Sequence, residues 1–310
     1  MTRLLVNDCL SVLSEHRTFW NDLCDWFHMS FRGGEYPVLA ELAAKEATGA
    51  SLIVRNATYF PPMATSVPTI SLLQDIVAEG PMRKMQTEVF ASSTRVVANS
   101  TYTLNRYPEL AAPKTVVIPL PVDFDTFEIG NPMGHQQALS LPDGCIAWVG
   151  AHESAGSVKG WDIFQSVVRA NPDLHFCAVF KDSIPASIPP NMRAYAKLTH
   201  AELADLLGAC RVGLCTSRTE TQHLAGIEMG ACGLPLVAPE VGAYWRRSDM
   251  PGVIVGDPTP ASYTAAVRAA LSQPSDPDRV REYWEKEFAP GIIFNAWSKL
   301  ITEVECSSAS

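Results

Sequence analysis

Two carboxylates eight positions apart, Glu220 and Glu228, are the residues of this chain whose types and spacing best suit them for chemistry. They lie in SRTETQHLAGIEMGACGLP (217–235), where small residues follow a polar turn and a Gly-Leu-Pro sequence leads into another apolar run. This order predicts a strand, a loop, a helix and a second strand. Free N–H groups at the start of such a helix bind anions, and carboxylates accept hydrogen bonds from hydroxyl groups. The segment therefore predicts a site for a ligand that carries both phosphate and hydroxyl groups.

Short apolar runs alternate with amphipathic segments and predict the elements that position these carboxylates. The predicted strands are 4–6, 51–54, 69–73, 95–98, 115–119, 145–150, 174–180, 212–217, 235–239 and 252–256. The predicted helices are 161–170, 201–209, 222–232, 261–272 and 278–288. Continuous β-branched runs separated by helices are typical of parallel sheets with helices on both faces. The sequence thus predicts an α/β protein of two doubly wound domains that face each other across a cleft.

A Pro- and Gly-rich stretch over residues 129–144 lacks clear periodicity and predicts a linker. We therefore predict an N-terminal domain over residues 1–128 and a C-terminal domain over 129–287. With 310 residues, of which 47% are hydrophobic, the chain is long enough for two separate cores.

Charge and cysteine usage argue against several classes of protein. The net charge of −9 gives no general attraction to nucleic-acid phosphates or to anionic lipid. No apolar segment is long enough to span a bilayer and no signal peptide is evident, so we expect a cytoplasmic protein with no integral membrane association. The eight cysteines show no metal-binding spacing, so we expect small core residues and no metal site.

The string ETQHLAGIEMGACGLPLVA (220–238) resembles the Glu-x7-Glu signature of the retaining GT-B glycosyltransferases of family 4, also called glycosyl transferases group 1. Three further segments resemble landmarks of that family in the same order: RVVANSTYTL (95–104), VVIPLPVDFDTF (116–127) and CIAWVGAHESAGSVKGWDIF (145–164). The resemblance covers about residues 70 to 260. It implies the GT-B fold, with two Rossmann-like domains and a C-terminal helix over 288–306 that crosses back to the N-terminal domain.

The resemblance implies a role for each acidic residue of the signature. Glu228 would bind the ribose hydroxyls of a nucleotide sugar, and Glu220 would contact the hydroxyls of the donor sugar. Lys159, at the Lys-Gly position of the family, would contact the diphosphate. A lysine and helix N–H groups stabilise the negative charge that grows on a departing diphosphate, so we expect no metal ion and no other cofactor.

Main-chain groups would complete the donor site that the resemblance implies. The backbone N–H groups of Gln222, His223 and Leu224 would line the phosphate pocket at the helix start. The nucleobase would meet the main chain around Leu198, and Gly150 ends the first strand of the C-terminal domain. The packed-core alternatives stay open, because a buried histidine or a loop lysine is common without any ligand.

The sequence departs from the family pattern at several positions. Ala151 stands where an arginine usually contacts the diphosphate, unless His152 or another side chain replaces it. The N-terminal domain is short, with NDCLS (7–11) in place of a Gly-Gly loop. Gln74 stands where a histidine is common at the acceptor side, which makes Asp75 the ionisable candidate there, either as a proton acceptor or as a helix N-cap.

These features predict a glycosyltransferase that moves a sugar from a nucleotide-sugar donor, most commonly a UDP-sugar in the family, to an unidentified acceptor hydroxyl with retention. Two alternatives stay open: a nucleotide-sugar epimerase, and a binding module without turnover. The acceptor would be a small molecule or a glycan, and a modified base in DNA is a further alternative. Residues 1–110 carry 9 Lys and Arg against 11 Asp and Glu, a balance that disfavours DNA.

Overall fold

A computed structural model describes residues 4–7, 11–12, 52–58, 62, 65–110, 112–153, 156–274 and 276–308. The chain divides into two compact units. Unit 1 contains Met1–Ile118 and Asn295–Ser310, and unit 2 contains Pro119–Phe294. Residues 8–10 of the NDCLS segment lie outside the described part of the chain.

Unit 1 contains a six-stranded sheet in the order β2-β1-β3-β4-β5-β6. Its strands are β1 Leu4–Asn7, β2 Ser11–Val12, β3 Leu52–Asn56, β4 Thr69–Leu73, β5 Arg95–Ala98 and β6 Thr115–Val117. β1 and β2 form an antiparallel pair, and the other neighbouring strands form parallel pairs. Helices α1 Pro81–Ser92 and α2 Thr101–Asn105 and a 3-10 turn at Ala112–Lys114 connect the strands. Val89 and Phe90 of α1 pack with Val96 and Ala98 of β5 in the core.

Unit 2 contains a second six-stranded sheet, in the order β12-β11-β10-β7-β8-β9. Its strands are β7 Ile146–Gly150, β8 Phe176–Phe180, β9 Met192–Ala196, β10 Val212–Leu214, β11 Leu236–Pro239 and β12 Gly252–Val255, and all pairs are parallel. Its helices are α3 Pro132–Leu139, α4 Gly156–Lys159, α5 Trp161–Ala170, α6 His200–Gly208, α7 Leu224–Ala231, α8 Pro260–Ser272 and α9 Pro277–Phe288, with a 3-10 turn at Gly242–Tyr244.

The core of unit 2 explains why its strands are continuous apolar runs. Trp148 of β7 stacks on Phe164 of α5, with ring centroids 4.8 Å apart, and Phe180 of β8 contacts the same indole. Tyr263 and Val267 of α8 belong to the same buried cluster. Parallel strands with helices on both faces have no solvent-facing side, which matches the fully buried residues of β8.

The order of strands in unit 2 creates a switch point between β7 and β10. From β7 the chain builds β8 and β9 on one side, then returns to place β10 on the other side of β7. The loops that follow β7 and β10 therefore separate in opposite directions at the carboxyl edge of the sheet. Ligands of open α/β sheets bind in the crevice that such a divergence leaves.

Helix α10 Pro290–Ser308 ends the described chain. Ile293, Trp297, Leu300 and Val304 are buried and recur at the spacing of one helical face. The division between units 1 and 2 falls inside this helix, at Phe294/Asn295.

The first division between the units falls at Ile118/Pro119, earlier than the sequence-based bound at 128/129. Hydrogen bonds join the segment between these two bounds, residues 119–128, to α9 of unit 2. The Arg281 guanidinium donates to the carbonyls of Phe124 and Phe127, both at 2.7 Å, and the Val122 N–H donates to the Phe288 carbonyl at 3.0 Å. An arginine in the last helices therefore holds a segment more than 150 positions earlier.

The parallel α/β architecture confirms the predicted fold class, but two elements differ from the sequence-based expectation. The predicted linker contains α3, which begins at Pro132 and is capped by the Asn131 side chain. Strand β9 was not predicted, because only Met192 of its five residues is fully buried and its apolar run is broken by Arg193. None of the described helices is both long and apolar enough to cross a membrane.

Candidate functional site

The loop after β7 and the loop after β10 are joined by one threonine. The Thr216 hydroxyl accepts a hydrogen bond from Trp148 Nε1 at 3.0 Å and lies 3.0 and 3.1 Å from the carbonyls of Lys159 and Gly160, to which it donates. Gly160 has φ of 66°, and a Cβ there would lie 2.0 Å from the Thr216 carbonyl oxygen. A glycine is therefore required where the two loops meet, and this contact positions Lys159.

Glu220 and Lys159 form an ion pair across these loops. Lys159 Nζ donates to Glu220 Oε1 at 2.7 Å, and the Ser217 hydroxyl donates to the same oxygen at 2.7 Å. The Glu220 side chain is 9% exposed and the Lys159 side chain 29% exposed. The ammonium has three donors, so Lys159 can contact Glu220 and still donate to another anion.

Opposing effects act on the ionisation of Glu220. Burial of the carboxyl acts to raise its pKa, while the neighbouring His223 and Lys159 and the hydrogen bonds from Lys159 and Ser217 act to lower it. The lowering effects win, and the pKa of Glu220 lies below its usual value. The residue is thus a carboxylate at neutral pH, ready to accept hydrogen bonds from hydroxyl groups.

Glu228, in the second turn of α7, has a different environment. Its side chain is half-buried, and no side chain among the described residues donates a hydrogen bond to its carboxyl group. Burial raises the pKa of Glu228 to about 7. An acceptor with lost hydration and no protein partner gains from a ligand that brings hydroxyl donors.

The start of α7 offers backbone donors beside these carboxylates. His223 is the N-cap residue, and its side chain makes no capping hydrogen bond. The Gly226 N–H donates to the His223 carbonyl at 3.1 Å, whereas the N–H groups of Leu224 and Ala225 meet no acceptor in the part of the chain described. Unsatisfied N–H groups at a helix start attract anions.

His223 has the left-handed backbone conformation, with φ of 72°. Its Nδ1 hydrogen-bonds the Tyr244 hydroxyl, and the two rings contact edge to face with centroids 5.5 Å apart. Burial lowers the pKa of His223 to about 4, so the imidazole is neutral at pH 7. A Cβ at Gly226 would lie 1.6 Å from the Tyr244 hydroxyl, which explains the small residue there. The side chains of His223 and Tyr244 thus occupy the space that a larger residue at position 226 would need. His223 itself holds a backbone conformation that glycine would adopt without strain.

The Gln222 side chain clamps the segment that begins unit 2. Its Oε1 accepts from the Leu120 N–H at 2.7 Å, and its Nε2 donates to the Leu120 carbonyl at 2.8 Å. The Gln222 carbonyl accepts from the Ala243 N–H at 3.0 Å. Both polar atoms of the side-chain amide therefore contact Leu120, and the contribution predicted for Gln222 at the phosphate pocket is that of its backbone N–H.

The other predicted donor residues of unit 2 lie along the same edge of the sheet. Gly150 ends β7, and Leu198 follows β9 after Lys197, whose φ is 56°. Ala151 is buried, and the ring of His152 hydrogen-bonds the Ser183 hydroxyl at 3.1 Å. His152 is thus engaged within unit 2 rather than replacing the arginine expected at position 151.

Asp75 lies in unit 1, two residues after β4, and belongs to a different set of contacts. Burial raises the pKa of its carboxyl, and a hydrogen bond with Thr58 lowers it. The N-cap interpretation of Asp75 is wrong, because α1 begins at Pro81 with Gly80 as its N-cap. An ionisable role for Asp75 stays a prediction.

Sequence reasoning missed three residues that shape this site: Thr216, Ser217 and Tyr244. Ser217 lies three positions before Glu220, a spacing that signals a side-chain contact across a turn. Thr216 contacts Gly160 only because β10 lies beside β7 in the sheet. Tyr244 belongs to the segment after β11 and carries no local signal, because its contact with His223 depends on the order of strands.

Comparison with known sequences identifies relatives of this chain, although no protein-family model matches it. The D-inositol 3-phosphate glycosyltransferase 1 of Catenulispora acidiphila is 27% identical over an alignment of 252 residues, with 69% of this chain and 59% of the relative covered. The D-inositol 3-phosphate glycosyltransferase of Segniliparus rotundus is 27% identical over an alignment of 226 residues, with 65% of this chain and 48% of the relative covered. The chain thus spans only about half to three-fifths of the length of these relatives.

Comparison with solved structures concerns the fold. Sucrose-phosphate synthase from Thermosynechococcus elongatus superposes with a TM-score of 0.74 and 16% identity, over 90% of this chain and 81% of the other. HepE from Anabaena, in complex with UDP and glucose, superposes with a TM-score of 0.71 and 13% identity, over 91% of this chain and 89% of the other.

The two parallel-sheet units and these superpositions define a protein with the GT-B fold. The sequence similarity to the D-inositol 3-phosphate glycosyltransferases confirms the resemblance to group 1 glycosyltransferases, the family 4 type.

Proposed function

We propose that this protein is a glycosyltransferase that binds a nucleotide-sugar donor at the carboxyl edge of the unit 2 sheet and transfers the sugar to an acceptor hydroxyl with retention. One observation carries the proposal: at the switch point the Lys159–Glu220 ion pair joins the segment after β7 to the loop after β10, and the half-buried Glu228 carboxyl lies on the helix that follows that loop. This combination offers positive charge for phosphate and two acceptors for hydroxyl groups.

Donor binding follows from the state of each group. The ribose hydroxyls donate to Glu228, which regains the hydrogen bonds that burial removed. The sugar hydroxyls donate to Glu220, which Lys159 and Ser217 already orient. The diphosphate meets the remaining donors of Lys159 and the N–H groups of Leu224 and Ala225.

Catalysis in this proposal depends on stabilising the leaving group and on holding the acceptor. The bond between the anomeric carbon and the phosphate oxygen breaks, and negative charge grows on the diphosphate, where Lys159 and the start of α7 lie. The acceptor hydroxyl attacks from the same face, so no protein nucleophile is assigned. We propose a UDP-sugar as the donor, since HepE was solved with UDP and with UDP-glucose. We also propose that no metal ion is needed for transfer.

The first test is a calorimetric and thermal-shift screen against uridine, guanosine, adenosine and cytidine diphosphates and their sugars. We expect one nucleoside diphosphate to bind and to raise the melting temperature, and chelator to leave that effect unchanged. Absence of binding by all four would contradict the proposal. The donor identified in this way is then incubated with acceptors, and D-inositol 3-phosphate is the first to try because the relatives are named for it.

Product analysis by mass and by NMR separates the proposal from its alternatives. Transfer gives a glycoside whose anomeric configuration matches that of the donor. Consumption of the donor without any acceptor, to give an isomeric nucleotide sugar, would indicate an epimerase. Tight donor binding without transfer or hydrolysis would indicate a binding module, an alternative that the buried Ala151 at the expected arginine position favours. Salt-sensitive binding to DNA would favour the modified-base acceptor.

A further inference from the structure

Three cysteines converge on one face of the unit 2 sheet, away from the proposed donor site. Cys145 directly precedes β7, Cys177 is the second residue of β8, and Cys210 follows α6. Their sulfur atoms all lie within 4.8 Å of one another, and Cys145 Sγ lies 3.0 Å from Cys177 Sγ. In sequence they are far apart, since Cys177 follows Cys145 by 32 positions, so no spacing motif signals the group.

The side of the sheet on which the thiols lie follows from strand register. Ala147 pairs with Cys177, and Cys145 is two positions before Ala147, so Cys145 and Cys177 point to the same face. The large aromatic core residues, including Trp148 and Phe176, alternate with them and point to the other face. The three cysteines are therefore not part of the main core of unit 2.

The three sulfur atoms are close enough to one another for a single ion to contact all of them. Arg193 of β9 pairs with Cys177 in the sheet register and places a positive charge near the thiols. Thiolates are the form in which cysteine binds metals.

We propose that Cys145, Cys177 and Cys210 form a three-thiolate site for a thiophilic metal ion, zinc in the first instance. A zinc–sulfur bond of about 2.3 Å places the sulfurs of one site about 3.8–4.0 Å apart. The observed separations run from 3.0 Å to at most 4.8 Å, so shifts of less than about an ångström create this geometry. A fourth position is left for water or for the exposed His175, which directly precedes β8 and lies two residues before Cys177.

The balance of charge and protons is consistent with a structural ion. Zn²⁺ replaces the thiol protons, which pass to solvent, and leaves a site of one net negative charge beside His175 and Arg193. Cys210 is 8% exposed while Cys145 and Cys177 are at most 1% exposed, so an ion would enter the site past Cys210. The ion would join β7, β8 and the end of α6, at the opposite end of the strands from Glu220.

The test uses the full chain, produced with added zinc and purified without chelator or oxidant. We expect about one zinc per chain by elemental analysis, and cobalt added to the metal-free protein should give the charge-transfer band of cobalt thiolates. The Cys145→Ala/Cys210→Ala variant should lose both signals. The matched control Cys232→Ala, which removes another buried cysteine of unit 2, should keep them.

Three results would overturn the proposal. One is a wild-type protein that contains no zinc, gives no cobalt–thiolate band and is not stabilised by zinc. The second is a double variant that binds as much metal as the wild type. The third is a Cys145–Cys177 disulfide in protein prepared from reducing cells. Should the double variant fail to fold, the zinc-dependent rise in the melting temperature of the metal-free wild type decides the question.

Discussion

The loop around Glu220 and the helix that carries Glu228 prepare the same chemical group in opposite ways. In the loop, an ammonium and a hydroxyl orient the Glu220 carboxylate and lower its pKa. In the helix, the Glu228 carboxyl has no described donor, and burial raises its pKa to about 7. One carboxylate is therefore stabilised before any ligand arrives, whereas the other needs the ligand to satisfy it.

The largest effect is expected from displacing α7, which carries Glu228, without changing the sequence of the loop that carries Glu220. Gly226→Ala places a methyl group within 1.6 Å of the Tyr244 hydroxyl and 2.6 Å of His223 Nδ1. We expect a loss of about 3 kcal/mol or more in the free energy of unfolding, measured in urea. Gly256→Ala is the control, because a Cβ there meets nothing within 4 Å. Equal stability of the two variants would contradict the assigned contact.

A second change removes the ammonium beside Glu220, so that this carboxyl, like that of Glu228, is buried without a charged partner. Lys159→Met removes the ammonium, so the pKa of Glu220 should rise and the buried carboxylate should cost about 2 kcal/mol of stability at pH 8. The penalty should shrink as the pH falls, because protonation relieves it. Lys159→Met/Glu220→Gln should recover part of the loss, while Lys286→Met, at an exposed ion pair, should change stability by less than about 0.5 kcal/mol. A double variant no more stable than the single one would remove the ion-pair argument.

A third change separates binding from stability at Glu228. Glu228→Gln keeps the shape of the side chain but weakens its acceptor, so nucleotide affinity should fall about 10-fold to 100-fold. The variant should unfold at the same or a higher urea concentration than the wild type at pH 8, since a desolvated carboxylate has been removed. Glu240→Gln, at the exposed residue after β11, serves as the control and should bind as the wild type does. Unchanged affinity in Glu228→Gln would count against the ribose role.

The smallest predicted effect is the dependence on pH. The folded-state pKa of Glu228 lies above its ordinary value of 4.5, so the folded protein holds the proton more tightly. Wild-type stability relative to Glu228→Gln should therefore fall by about 1–2 kcal/mol as the pH rises from about 5 to about 7, then level off. Nucleotide affinity should change in the other direction, because the carboxylate is the better acceptor. Nucleotide affinity is measured by calorimetry from pH 6 to pH 8 for the wild type and for Glu228→Gln, and the difference between the two proteins removes the effect of the nucleotide's own ionisation. Affinities that change with pH in the same way in both proteins would contradict the assignment.

Much of the fold could be predicted from local pattern. Strands such as Thr69–Leu73 and Arg95–Ala98 have the predicted bounds, because fully buried strands leave continuous apolar runs. Helix α5, Trp161–Ala170, was also predicted with its bounds, from its apolar spacing. The edge strand β9 and helix α3 were not predicted, since an exposed edge lacks the apolar run and proline and glycine favour several conformations.

By itself the sequence determined the alternation of strands and helices, the pair of glutamates and the family resemblance, because these depend on residues that are close together along the chain. Only the tertiary structure decided that Lys159 neutralises Glu220 from 61 positions away, that Tyr244 occupies the space beside Gly226, and that three scattered cysteines meet. The physical reason is the order of strands in the sheet. Placing β10 beside β7 and β8 on its other side brings distant segments together, and no spacing within the sequence contains that order.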